Sequence, residues 1–372
     1  MHYWVSLGIA LVFIFYDAYF CRSVAQDIRW WTAGALEKVR PYNPAPAAPG
    51  QSVDLSAALN EFEPFQIIVR AESDDLDGVR VEISDFVGLR GTILSKANTT
   101  VYLQRFLNLP APSSIEGEGG EWPDPLVPAV DRYTRETRTA FPFSLKRGRN
   151  QPVWVEVYVP PKTMPGNYRG TAVISASGRN DALVPINLQV WNFALPSTSS
   201  LATSFGLNGV TALKQHRGRY TSDEELFQIT GLYARAALSH RLSIHGGSMT
   251  PPPWSFKNGA MQVDWSRYDA EVAPLLEGRA FSPEEPLFGA QATSIDLRTE
   301  AGLDTDEKKI LYWREWTRHF REKGWFDRLF YYVWDEPVRS DYSKVVARGR
   351  IARRADPQLR NLVTAPQHAQ LA

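Results

Sequence analysis

The chain has 372 residues, enough for two hydrophobic cores, and its 41 Lys and Arg side chains are balanced by 41 Asp and Glu. That balance removes the electrostatic footprint of a nucleic-acid binder and favours a neutral partner over a polyanionic one. The aromatic load is heavy, with 12 Trp, 15 Tyr and 18 Phe, and such rings serve both as core and as platforms for the apolar faces of sugars.

Residues 1–25 read as a signal peptide or an uncleaved anchor. Residues 4–16 are almost unbroken apolar, the length of a signal-peptide core and short of the roughly 20 residues of a membrane span. Ser23-Val24-Ala25 supplies small residues for cleavage before Gln26, so export to the periplasm, cell surface or medium is expected. No Lys or Arg precedes the apolar stretch and Asp17 ends it. The alternative of an N-terminal membrane anchor therefore stays open, as the one membrane association expected. Cys21 is the single cysteine and leaves with a cleaved signal, so no disulfide or thiol chemistry is expected.

Residues 36–196 read as an all-β domain. Short runs rich in Val, Ile and aromatics lie at 65–71, 79–83, 100–106, 153–159, 171–176 and 183–190, and several alternate apolar with polar residues, as half-buried antiparallel strands do. A β-sandwich is expected. The stretch 110–128, rich in Pro, Gly and Glu without periodicity, reads as a long loop.

After Asn192-Phe193-Ala194-Leu195-Pro196 the pattern changes, and residues 197–372 alternate strand with helix. The expected strands are 203–207, 242–245, 286–292, 329–334 and 362–365. Ser222 with Glu225 makes a capping box ahead of an apolar stripe at Leu226, Ile229, Leu232, Tyr233 and Ala236. Asp304 and Glu307 open a second helix with the stripe Ile310, Trp313, Trp316 and Phe320, stopped at Gly324. Residues 342–355 make a third, stopped by Pro357. Five units of a (β/α)8 TIM-type barrel are visible, so the expected architecture is a multidomain β plus α/β chain: a β-sandwich followed by an incomplete barrel. Five open parallel strands expose a sheet edge, which points to a fragment. The alternative, a complete doubly wound sheet, lacks a glycine-rich phosphate loop at the strand ends.

The dipeptide Asp335-Glu336 follows the apolar run 329–334 and is stopped at once by Pro337. In a barrel this is the C-terminal mouth, where catalytic groups sit; the alternative is that one acid caps a helix whose first turn holds Pro337. Asn208 and His245, with Gly246-Gly247, either face the same mouth as contacts to sugar hydroxyls or cap ordinary loops. Trp254, Trp265 and Tyr268 either line a subsite by stacking or pack into the core. His240 and His245 have no third ligand at useful spacing, so no metal and no cofactor are expected. Gly117-Glu118-Gly119-Gly120 lacks the strand and helix of a phosphate loop, and no Gly-x-Ser-x-Gly elbow supports a hydrolase triad.

Four segments carry a resemblance to a known family: 58–66 (ALNEFEPFQ), 122–128 (WPDPLVP), 190–196 (VWNFALP) and 330–337 (FYYVWDEP). Over about residues 30–366 the chain resembles glycoside hydrolase family 123, the retaining β-N-acetylgalactosaminidases, and related bacterial proteins of unknown activity. The resemblance implies a sandwich, a (β/α) barrel and a further C-terminal β domain, with the last three barrel strands and that domain outside this sequence. It also implies a glycoside hydrolase acting on a glycan or oligosaccharide by substrate assistance. Neighbouring carboxyl groups suit that scheme better than the separated pair of ordinary retaining enzymes. Glu336 would protonate the leaving oxygen, and Asp335 would hold the 2-acetamido group as its carbonyl attacks, giving an oxazoline. Burial among Tyr331, Tyr332 and Trp334 would raise the Glu336 pKa, and Trp334, Tyr332, His245, Asn208 and Trp254 are the substrate-binding candidates. Two other readings stand beside it: a non-catalytic carbohydrate-binding surface protein with a truncated barrel, and a glycosidase of the same fold acting on another sugar.

Overall fold

The computed structural model describes residues 28–47, 52–112, 114–246, 250–299 and 302–365. The expected signal segment, Cys21 and Gly247 lie outside them.

The first part is built from β1 (Arg29–Ala33), β2 (Val53–Leu59), β3 (Glu61–Arg70), β4 (Leu76–Ile83), β5 (Phe86–Gly88), β6 (Ile93–Leu94) and β7 (Thr99–Leu109). It continues with β8 (Gly120–Pro128), β9 (Phe143–Leu145), β10 (Asn150–Val159), β11 (Gly166–Ser175) and β12 (Ala182–Ala194). One sheet has the order β1-β3-β10-β7-β8 and the other β2-β12-β11-β4-β9, with β5 and β6 beside β11. Period-two burial explains the layering: Val184, Ile186, Leu188 and Val190 of β12 point inward between exposed or half-buried neighbours. They meet Phe65, Ile67 and Val69 of β3 and Val153, Val155 and Val157 of β10 in one core.

Two expectations change here. Residues 110–128 are not all loop, because Gly120–Pro128 is a strand paired with β7. Its prolines forbid a central strand but are tolerated at an edge, and β8 is the edge of its sheet. The sheet also begins before residue 36, since Arg29–Ala33 pairs with β3.

The second part contains β13 (Phe205–Leu207), α1 (Gly209–Arg217), α2 (Asp223–Ser239), β14 (Ile244–Gly246), β15 (Trp254–Lys257) and β16 (Ala260–Val263). It ends with α3 (Ser266–Leu276), β17 (Ile295–Asp296), α4 (Asp306–Glu322), β18 (Leu329–Asp335), α5 (Tyr342–Ala355) and β19 (Arg360–Thr364). β13 pairs parallel with β14, and β17, β18 and β19 pair parallel in that order. Side chains join the two groups where the ladder is missing. The Ser243 and Thr293 hydroxyls meet at 3.0 Å ahead of β14 and β17, and at the other end the Gly246 N–H donates to Asp296 Oδ1 at 3.1 Å. The result is a curled half-barrel sheet that does not close among the described residues.

Local chemistry accounts for the helices. Ser222 accepts from the Glu225 N–H and starts α2, Thr305 accepts from the Lys308 N–H and starts α4, and Gly324 at φ +72° follows α4. The expected α4 stripe is buried, with Trp316 fully enclosed among Trp265, Tyr268 and Phe320. Tyr268 is buried core, and half-buried Trp265 packs against that core and stacks on His319 at 4.0 Å.

Other expectations shift. The buried line of α2 is Thr230, Ala234 and Leu238, whereas Tyr233 is exposed and meets His216 of α1. Residues 286–292 are not a strand: Leu287 and Gly289 have φ of +58° and +82°. Their apolar character reflects burial of Leu287 and Ala290 in a turn, and the third parallel strand comes later, at Ile295–Asp296. Helices α1 and α3 are additions to the elements expected from the sequence.

Asn60, in the left-handed conformation between β2 and β3, joins the two parts. Its amide donates to the Leu195 carbonyl (2.9 Å) and Ser197 Oγ (3.2 Å), and its side-chain oxygen accepts from Tyr158 OH (2.7 Å). Arg241, just after α2, donates to the Asn60 and Pro196 carbonyls. Segments 58–66 and 190–196 thus meet at this joint.

Candidate active site

Strand β18 changes phase near its end. Phe330 and Tyr332 point toward His245, with ring centroids 6.1 and 5.2 Å away, while Tyr331 packs on Trp313 of α4. Simple alternation would then put Trp334 beside Tyr332. Pairing with β19 slips between Tyr332 and Trp334, and a bulge of this kind re-aims the side chains that follow. Trp334 consequently lies against the Arg348 guanidinium of α5 at 4.3 Å, and Asp335 joins Tyr332.

Asp335 Oδ1 accepts two hydroxyls, from Tyr332 and from Thr364 of β19, each at 2.7 Å. These bonds, the Thr364 one foremost, stabilise the ionised form and hold the Asp335 carboxyl below its ordinary pKa, with His245 acting in the same direction. Burial and the adjacent Asp335 charge push the Tyr332 phenol up, so it remains a donor.

Glu336 has φ +44°, unusual for a residue with a Cβ. Its N–H donates to both the carbonyl (3.1 Å) and the hydroxyl (2.9 Å) of Thr364. Strained backbone held this firmly is characteristic of functional positions. The dipeptide is no helix cap, because α5 begins only at Tyr342 and Asp341 precedes it.

Beside this pair opens a depression of about 480 Å³ lined by Gly206, Leu207, Asn208, His245, Gly246 and Arg298. Ser204 Oγ lies 2.9 Å from His245 Nδ1. Gly246 has φ +72°, and a Cβ there would come within 3.2 Å of the Leu207 carbonyl, so glycine keeps β13 and β14 close. Buried Asp296 takes the Arg298 guanidinium at 3.2 Å through Oδ2, which places a cation on the wall of the depression.

The structure brings together Asp335, Glu336, Tyr332, His245 and Asn208 at strand ends on one side of the half-barrel. Asn208 also caps α1 by accepting the Thr211 N–H. Trp334 faces the helix layer, and Trp254 stands on the β15–β16 hairpin beside Phe256 and Lys308. The expected burial of Glu336 among rings is not found: Glu336 and Asp335 are both exposed, and Tyr331 and Trp334 are engaged elsewhere. Sequence reasoning missed Thr364, Asp296 and Arg298. Position at a parallel strand's end is the available signal for Asp296 and Thr364, but the apolar run 286–292 draws the expected third strand away from Ile295–Asp296. Among the described residues, no group of three or more His, Cys, Asp or Glu is arranged to hold a metal ion.

Residues 45–176 match the family model of the glycoside hydrolase 123 N-terminal domain. The fold is similar to that of a family 123 glycoside hydrolase from Clostridium perfringens studied for glycolipid glycan hydrolysis, with a TM-score of 0.64 at 14% identity over 91% of this chain. The resemblance to family 123 is therefore supported by sequence over the sandwich and by fold over nearly the whole chain. This chain covers 64% of that enzyme's length. A Bacteroides ovatus family 5 xyloglucanase aligns over 84% of this chain and 61% of its own, at 11% identity, but its TM-score of 0.23 carries no weight. No curated protein matches the chain.

Proposed function

We propose that the chain, a β-sandwich followed by five units of an incomplete (β/α)8 barrel, acts as an exported, retaining β-N-acetylhexosaminidase that prefers N-acetylgalactosaminides. The observation that carries this reading is the dipeptide: an ionised Asp335 fixed by Tyr332 and Thr364, next to a strained Glu336. The match of the sandwich to the glycoside hydrolase 123 N-terminal domain supports it.

With Oδ1 occupied by two hydroxyls, Asp335 Oδ2 accepts the N–H of the substrate's 2-acetamido group and opposes the positive charge that develops on it. The acetamido oxygen attacks the anomeric carbon as Glu336 gives its proton to the leaving glycosidic oxygen, forming an oxazoline. Glu336 then removes a proton from water, which opens the ring and leaves the anomeric configuration retained. His245, Asn208 and Arg298 line the depression where sugar hydroxyls would be held.

The test is release of nitrophenol from the β-N-acetylgalactosaminide and β-N-acetylglucosaminide by the chain and by Glu336→Gln. Activity in the wild type alone supports the assignment, and faster release from the galactosaminide supports the preference. Equal cleavage of a galactoside lacking the acetamido group would rule out substrate assistance. Exposure of both acids favours a second reading, a non-catalytic glycan-binding protein. Sugar binding that survives Glu336→Gln, with no hydrolysis by the wild type, would select it.

A further inference from the structure

A second concave site lies at the opposite end of the half-barrel. It is a partly enclosed groove of about 400 Å³ between the sandwich and the end of α2, within the range of roughly 300–1,000 Å³ usual for small-ligand sites. The chain leaves α2 at Ser239 and enters β14 from below, so this groove adjoins the N-terminal ends of the parallel strands. Asp335 and Glu336 stand at the C-terminal end of theirs.

The groove combines ring faces with uncommitted polar groups. Phe62 and Tyr133 flank the Arg132 guanidinium at 5.8 and 5.4 Å. Among the described residues no carboxylate lies within ion-pair distance of Arg132, because the adjacent Asp131 accepts the Tyr133 and Thr134 N–H groups and pairs with Arg138. Glu156 Oε2 takes the Tyr102 hydroxyl at 3.0 Å, while Oε1 has only a long 3.4 Å contact from Trp154. Arg132 therefore retains donors and Glu156 retains acceptor capacity, and both line the groove together with its aromatic walls. Tyr133 OH lies 2.7 Å from Ser239 Oγ, which ties the sandwich wall of the groove to α2.

The charges at the groove cancel: Asp131 is paired with Arg138 just outside it and Glu61 acts on Arg241, which leaves Arg132 against Glu156. An anion would face the Glu156 carboxylate and a cation the Arg132 guanidinium. Vicinal hydroxyls both donate and accept, and the apolar face of a sugar ring covers an aromatic wall. We propose that this groove is a neutral-saccharide-binding site, separate from the Asp335-Glu336 cleft and independent of whether that cleft is catalytic.

The experiment is titration calorimetry of the whole chain carrying Glu336→Gln, with lactose and cellotetraose, which lack the 2-acetamido group, as probes and sialyllactose as the charged comparator. Binding of at least one neutral probe, weakened about tenfold or more by Arg132→Ala and by the isosteric Glu156→Gln but unchanged by Asp335→Asn, is the expected result. No binding by any neutral probe overturns the proposal. So does binding that both groove variants leave intact, or tighter binding of sialyllactose than of lactose. If Arg132→Ala fails to fold, Glu156→Gln alone decides. Hydrolysis is not read, so failure here leaves the catalytic proposal untouched.

Discussion

At Asp335 the decisive quantity is which protonation state its neighbours favour. Two donated hydroxyls stabilise the carboxylate and depress its pKa, so it stays ionised as pH falls into the ordinary carboxylate range. Removing a donor raises the pKa again. Thr364→Val and Tyr332→Phe are therefore expected to move the acid limb of the pH–activity profile to higher pH, with Thr364→Val having the larger effect because that bond contributes most. An acid limb that stays in place in both variants would exclude Asp335 as the group that must be ionised. Glu336→Gln is expected to lower turnover by about 10²- to 10⁴-fold, the usual worth of a positioned acid/base, while leaving the thermal melt unchanged because the side chain is exposed.

Among the elements, α4 anchors the half-barrel and the Asn60 turn joins it to the sandwich. Trp316 is fully buried against Trp265, Tyr268 and Phe320, so Trp316→Ala is expected to cost about 3–5 kcal/mol. Trp334→Ala should cost less, since its half-buried ring lies on the Arg348 guanidinium; equal losses measured by urea unfolding would contradict this division of labour. Asn60→Ala removes the amide contacts to Leu195, Ser197 and Tyr158 and places Ala at φ +61°. Asn60→Gly loses the same bonds without the strain. The expected order of melting temperature is wild type, then Gly, then Ala, with the hydrogen bonds alone worth about 1–3 kcal/mol.

For the molecule as a whole, the two parts differ in how their sheets are held. Strands β3 and β10 pair over ten residues inside a continuous core, whereas β13 and β14 share three pairs and β17 and β18 two. Hydrogen exchange should therefore be slowest at the amides of β3 and β10 and fastest, among the strands, at β13 and at the outer side of β19. Uniform protection across both parts would show that the half-barrel is as cooperative as the sandwich. The cleft is assembled from the ends of β13, β14, β17, β18 and β19, so it belongs to the less protected part.

What the amino-acid sequence makes legible by itself is set by neighbours along the chain. Ser222 with Glu225 and the 3.6-residue recurrence of Ile310, Trp313, Trp316 and Phe320 act within a turn or two of helix, and the limits of α5 matched those expected from Tyr342 and the stop at Pro357. The Asp335-Glu336 pair was visible for the same reason, as two acids halting an apolar strand. Its partners were not. Thr364 lies 28 residues beyond Glu336 and reaches it only because β19 is parallel to β18, and Asp296 and Arg298 depend on where a two-residue strand falls. The orientation of Trp334 could not be read from β18 alone, because the slip against β19 is a property of the pair of strands and breaks an alternation that β18 alone would keep. Chain-local periodicity and capping determined which segments are helix or strand and which acids end a strand. Strand pairing, a bulge and edge position decided which side chains meet, because those depend on contacts between residues distant in sequence.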